Sequence, residues 1–161
     1  MNNILSIGEI MIEEKIKELG FEVPEVSKPL AAYIPAKQVG NLVITSGQVP
    51  SVKGEIKFVG KVGKELTEED GQEAAQICAL NCLAAIKGVI GSLDKIAEIV
   101  KLTVFVASAE SFTAQPKVAN GASELIGKIF GDAGLHARSA VGVTSLPLNA
   151  PVEIEMIVRI N

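Results

Sequence analysis

Between Ala74 and Ile86 the chain carries only two polar residues, Gln76 and Asn81. A helix of that composition is apolar around most of its circumference, so neighbouring elements must cover it on more than one side. Its flanks are equally informative. Thr67 offers an N-cap hydroxyl, and Glu68, Glu69 and Asp70 place acids where a helix dipole favours them. Gly91 supplies a stop. The pattern predicts a helix from Thr67 to about Ile90, buried in the middle of a domain.

A second helix is predicted from about Ala114 to Phe130, with Val118, Ala122, Leu125, Ile126 and Ile129 on one stripe and Gly131 and Gly134 closing it. A shorter one begins at Met11, where Met11, Ile12, Ile16 and Leu19 keep helical spacing up to Gly20. Strands are expected at Leu30–Val39, weakened by Pro35 and so suited to an edge, and at Asn41–Ser46. Others fall at Glu55–Val59 after the Lys53-Gly54 turn, Glu98–Val106, Arg138–Thr144 and Val152–Ile160. Met1–Ile10 shows no pattern, and Val23–Pro29 reads as an extended linker. Residues 1–28 are therefore read as an N-terminal extension with a short helix, and 29–161 as one domain.

The last strand alternates cleanly. Val152, Ile154, Met156, Val158 and Ile160 point one way, and Glu153, Glu155, Ile157 and Arg159 the other. The strand at Glu98–Val106 splits into Val100, Leu102, Val104 and Val106 against Ile99, Lys101, Thr103 and Phe105. Two main helices cover only one face of a mixed sheet of about five or six strands, which makes the fold α+β. The other face keeps Ile99, Thr103, Phe105 and Ile157 beside charged residues. An open sheet face with large apolar side chains calls for a partner, and a second copy of the chain is the simplest one.

Composition narrows the function. The net charge is -4, the aromatic share 4%, and there is no Trp. Lysines are interleaved with acids, so neither a basic patch nor a base-stacking platform is evident, and nucleic acid is not an expected partner. Cys78 and Cys82 sit four apart in the apolar helix and read as reduced core residues of a cytoplasmic protein. No membrane-length apolar span is expected. A single histidine, His136, without a Cys/Asp/Glu cluster at ligand spacing, argues against a metal, and no cofactor is expected.

The ordered motifs point further. His-Ala-Arg-Ser-Ala-Val-Gly-Val-Thr-Ser-Leu-Pro at 136–147 is followed by Val-Glu-Ile-Glu at 152–155. Gly40 to Pro50 reads Gly-Asn-Leu-Val-Ile-Thr-Ser-Gly-Gln-Val-Pro, and Thr103-Val104-Phe105-Val106 precedes Phe112. This ordered set, spanning about Pro29 to Arg159, resembles the Rid (reactive-intermediate deaminase, or YjgF-like) family, also known as the endoribonuclease L-PSP group. The extended N-terminus and Asn120-Gly121-Ala122-Ser123 suggest a longer-chain branch. The resemblance implies a chorismate-mutase-like fold of the bacterial trimeric type, a homotrimer with a cleft between subunits, and hydrolysis of enamines and imines to a 2-oxo acid and ammonia.

On its own, Arg138 is either a bidentate carboxylate fork or a strand arginine paired with an acid. The resemblance makes it the residue that binds the carboxylate of a small metabolite. It makes Glu153 the residue that positions the hydrolytic water, with Glu155 as a rival, and it places Tyr33 and Gly47 in the cleft. Asn120 and His136 join them as candidate substrate contacts. If the last two strands form a regular hairpin, Arg138 and Glu153 face the same way, but the Ser145–Pro151 loop sets Glu153 nearer the turn, which leaves open a direct meeting or one made only through a neighbouring subunit. Two departures stand out: the family's cysteine, two residues past the arginine, is Ala140, and its cleft asparagine aligns with Pro116. They leave open a non-catalytic small-molecule-binding or regulatory trimer. A ribonuclease is the third reading, and the acidic charge speaks against it.

Overall fold

The Thr67 hydroxyl accepts the Asp70 N–H at 3.1 Å, and the Asp70 carboxylate accepts the Thr67 N–H at 2.9 Å. This capping box starts α2 (Glu68–Ile90), and Gly91, at φ 82°, ends it in a conformation that glycine adopts without strain. The computed structural model describes residues 11–26 and 32–161. In chain order the other elements are α1 (Ile12–Glu18), β1 (Ala36–Val39), β2 (Leu42–Thr45), β3 (Ser51–Val52) and β4 (Glu55–Ile56). After α2 come β5 (Ile96–Ala107), α3 (Gln115–Phe130), β6 (Ala137–Val143) and β7 (Val152–Ile160).

Five strands form one mixed sheet in the order β1-β2-β7-β5-β6. β7 runs antiparallel to both β2 and β5, and β6 alone is parallel to its neighbour β5. Topology follows from what lies between strands. A helix separates β5 from β6, and a parallel pair needs such a crossover. The last two strands are therefore not the hairpin expected from sequence, because β5 lies between them. β3 and β4 form a separate hairpin around Lys53-Gly54, both at positive φ.

The helices cover one face of the sheet. Val152, Ile154, Met156 and Val158 of β7 are fully buried beneath them, as are Leu102, Val104 and Val106 of β5. Each such side chain contributes about 1.5–3 kcal/mol on removal from water. Ile16 of α1 joins the same core. α2 and α3 approach closely enough that a Cβ on Gly121 would collide with the Gln72 backbone. The Gln72 side-chain amide donates to the Lys117 carbonyl at 2.9 Å across the same contact.

Several boundaries differ from expectation. The first strand begins at Ala36, because Pro35 has no N–H to give a ladder. Its expected start, Leu30–Ala31, lies outside the described residues, as do Met1–Ile10 and residues 27–29 of the linker. β4 stops at Ile56, and Phe58 turns to positive φ. In β5 the pairing with β7 slips between Ile99 and Lys101, and this irregularity reverses the expected facing. Ile99 is thus 1% exposed in the core instead of standing on the open face. Contrary to the expectation of no membrane-length apolar span, the helix Glu68–Ile90 is long and apolar enough to cross a membrane by length and composition; most of that stretch is buried inside the fold.

The open face keeps Phe105 and Ile157 half-buried, with Ile44 of β2 41% exposed and Val141 of β6 44% exposed. Glu153 and Glu155 stand among them, opposite Phe105 and Thr103 in the register.

Candidate functional site

Arg138 lies on the edge strand β6 with Leu102 as its register partner. Leu102 is core, so Arg138 points toward the helices. There it meets α3. Asn120 and Ser123, three apart, lie on one side of that helix. Arg138 Nη1 donates to Asn120 Oδ1 at 2.8 Å and to Ser123 Oγ at 3.1 Å. His136 completes the group, with Nε2 2.9 Å from Ser123 Oγ and Nδ1 2.6 Å from the Gly134 carbonyl oxygen. All four side chains are partly exposed. Among the described residues no acid pairs with Arg138.

A second group forms near β2 and β7. After β2 the chain runs on beside β7, where Gln48 and Ile154 exchange backbone hydrogen bonds of 2.8 and 3.0 Å. This brings Gly47 against Glu153, and a Cβ at Gly47 would collide with the Glu153 carboxylate. Glu153 is half-buried. Burial, and then the neighbouring charge of Glu155, push its carboxyl above the ordinary value. A cavity of about 330 Å³ opens beside Gly47, lined also by Tyr33, Gln48, Asn81 and Leu148. Tyr33 is 57% exposed there. Its segment is pinned by Ser46, whose hydroxyl donates to the Ile34 carbonyl at 2.7 Å. Asn81 donates to the Val49 and Ser51 carbonyls at 2.9 and 3.0 Å, which fixes the floor. Leu148, 72% exposed at φ 59°, reaches the rim from a strained turn.

The structure therefore brings Arg138, Asn120 and His136 together, and separately Glu153, Gly47 and Tyr33. It does not bring Arg138 to Glu153 within one chain. Their expected common facing is corrected: Arg138 pairs with Leu102 on the helix side, whereas Glu153 pairs with Phe105 on the open side. The parity count assumed a direct hairpin, and the intervening β5 removes its basis.

Pro116 opens α3 near its first turn, where a missing N–H costs nothing. Ala140 packs against the core. Cys78 and Cys82 donate to the Val152 and Ile154 carbonyls at 3.5 and 3.4 Å. Burial pushes the Cys82 thiol up to about 12 and holds Cys78 well above its ordinary range, so neither supplies a thiolate. Sequence reasoning did not single out Ser123. The available signal was its i,i+3 spacing from Asn120 on a helix running beside the arginine strand.

A mixed five-stranded sheet with helices on one face and a strand arginine braced by α3 defines an α+β, chorismate-mutase-like protein. Residues 13–159 match the family model described as "YjgF/chorismate_mutase-like, putative endoribonuclease", and the chain belongs to that family. Protein TCP17 of Trypanosoma cruzi is 40% identical over 151 residues, 93% of this chain and 94% of that one. A 2-iminobutanoate/2-iminopropanoate deaminase of Dermatophagoides farinae is 33% identical over 138 residues, covering 85% and 92%. The crystal structure of Atu1372 from Agrobacterium tumefaciens, a protein of unknown function, superposes with a TM-score of 0.86 at 46% identity and covers 93% and 92%.

Proposed function

We propose that this chain hydrolyses reactive imines and enamines of small carboxylic acids to a 2-oxo acid and ammonia, in a cleft completed by a second copy within a homotrimer. The observation that carries the reading is Arg138. One of its nitrogens is anchored by Asn120 and Ser123, and the rest of a planar, permanently charged fork remains for a carboxylate. The family membership and the name of the Dermatophagoides relative support the reaction class. Glu153, half-buried against the bare backbone of Gly47, suits the hydrogen-bonded positioning of the hydrolytic water. It lies on the opposite face of the sheet from Arg138, which is why the cleft needs another copy. Buried free thiols suit a reducing, cytoplasmic setting.

The test is release of 2-oxo acid and ammonia from 2-iminopropanoate generated by an amino-acid oxidase. The protein should speed that release, and Arg138→Ala should abolish the gain. Thermal stabilisation by pyruvate without turnover of any imine would instead mark a non-catalytic binder, the reading that Ala140 at the family's cysteine position favours.

A further inference from the structure

Around Arg138 one side chain has no role in that reading, and the polarity of its bonds is fixed. The Gly134 carbonyl can only accept, so His136 Nδ1 bears the proton across the 2.6 Å contact. In the neutral ring Nε2 then has only a lone pair, which takes the Ser123 O–H at 2.9 Å. Arg138 Nη1 can only donate, so Ser123 Oγ accepts it at 3.1 Å. The serine oxygen thus has its proton on a base, one lone pair on a guanidinium and one lone pair free. The base is itself oriented by a third group. That is the geometry of an activated hydroxyl. Bracing the arginine does not require it, because Asn120 already holds the same nitrogen at 2.8 Å.

We propose that Ser123 takes the proton of the hydrolytic water beside Arg138, with His136 as the store behind it. The inference rests on the imine-hydrolase reading. With a protonated imine, the water oxygen bonds to the imine carbon and the C=N pair moves to nitrogen. The water proton passes to Ser123 Oγ as the serine proton passes to His136 Nε2. In the second half the imidazolium returns its proton through Ser123 to the amine nitrogen. The C–N bond breaks, the hydroxyl proton follows the nitrogen, and ammonium leaves behind a 2-oxo acid. Arg138 holds the carboxylate throughout. Ser123 is the catalytic residue of this step, and His136 acts through it.

The experiment compares kcat and KM for 2-iminopropanoate in the wild type, Ser123→Ala, Ser123→Thr and His136→Gln. Loss of a proton-transfer group costs about 10²-fold in rate. Ser123→Ala should therefore lower kcat by about that factor with KM held within about twofold. Ser123→Thr keeps the hydroxyl and should recover most of the loss. His136→Gln should lower kcat at constant KM. Unchanged kcat in Ser123→Ala, or a loss confined to KM, would overturn the proposal and reduce the serine to a brace for Arg138. If Ser123→Ala does not fold, unchanged kcat in His136→Gln overturns it equally. A wild type without turnover removes this inference together with the function it rests on, whereas turnover that needs Arg138 and ignores Ser123 removes this inference alone.

Discussion

The arginine group and the glutamate group are built on opposite logic. Around Arg138 the polar atoms satisfy one another: Asn120, Ser123, His136 and the Gly134 carbonyl form one connected network. Glu153 has no such company. Among the described residues no hydrogen bond reaches its carboxylate, which leans on the bare backbone of Gly47 and shares a face with Glu155. One group is organised before any ligand arrives. The other carries unspent electrostatic tension. The network closed within the chain fixes both where its groups stand and which way its protons point, whereas the acid is held by packing and by the charge beside it.

The strongest way to break this contrast is Arg138→Ala. Losing a charged, forked contact to a carboxylate costs about 2–5 kcal/mol, so kcat/KM should fall by about 30- to 5,000-fold while the melting temperature changes little. Wild-type kcat/KM in that variant would mean that the organised group is not the carboxylate site.

Mixing tests whether the two groups serve one cleft from different copies. Arg138→Ala and Glu153→Ala should each be inactive alone. Co-refolded at equal ratio, about one interface in four would pair an intact arginine with an intact glutamate, restoring about a quarter of wild-type activity. No recovery in mixed oligomers would place both groups in the service of one chain, or of separate sites.

Gly47→Ala sharpens the glutamate side. The added methyl occupies the space of the Glu153 carboxylate, and overpacking of this kind costs about 1–3 kcal/mol. Chemical denaturation should show that loss, and the double variant Gly47→Ala/Glu153→Ala should recover part of it. Additive losses would mean that the two positions do not touch.

The smallest effect is a pH dependence. Because the Glu153 carboxyl is raised in the fold, its contribution to stability is complete below the unfolded value of about 4.3 and is lost as pH rises through the folded value. Glu153→Gln escapes that loss. Its melting temperature should match the wild type near pH 4 and exceed it at pH 7. A gap that is constant or reversed would show that Glu153 ionises without penalty.

Much of the architecture was legible because it rests on local chemistry. The capping box at Thr67, the strict alternation of β7 and the glycine stops fix α2, β7 and α3 to within a residue or two. The facing of Ile99 was not legible, because a one-residue slip in a ladder leaves no mark on apolar periodicity. The relation of Arg138 to Glu153 was lost for a different reason. Neighbourhood in sequence suggested neighbourhood in the sheet, yet β6 is held by β5 through the α3 crossover. Motif likeness singled out Arg138 and Glu153 one at a time; the hydroxyl that joins His136 to the arginine needed three dimensions.

Gly121 has neither a side chain nor a charge, yet it decides how far α3 stands from α2. Asn120 and Ser123 flank it on the same helix, so any side chain at this position would carry both away from Arg138. In a saturation scan scored by activity, Gly121 should look like part of the chemistry. The spacing of two helices and the competence of a guanidinium thus hang on one missing side chain.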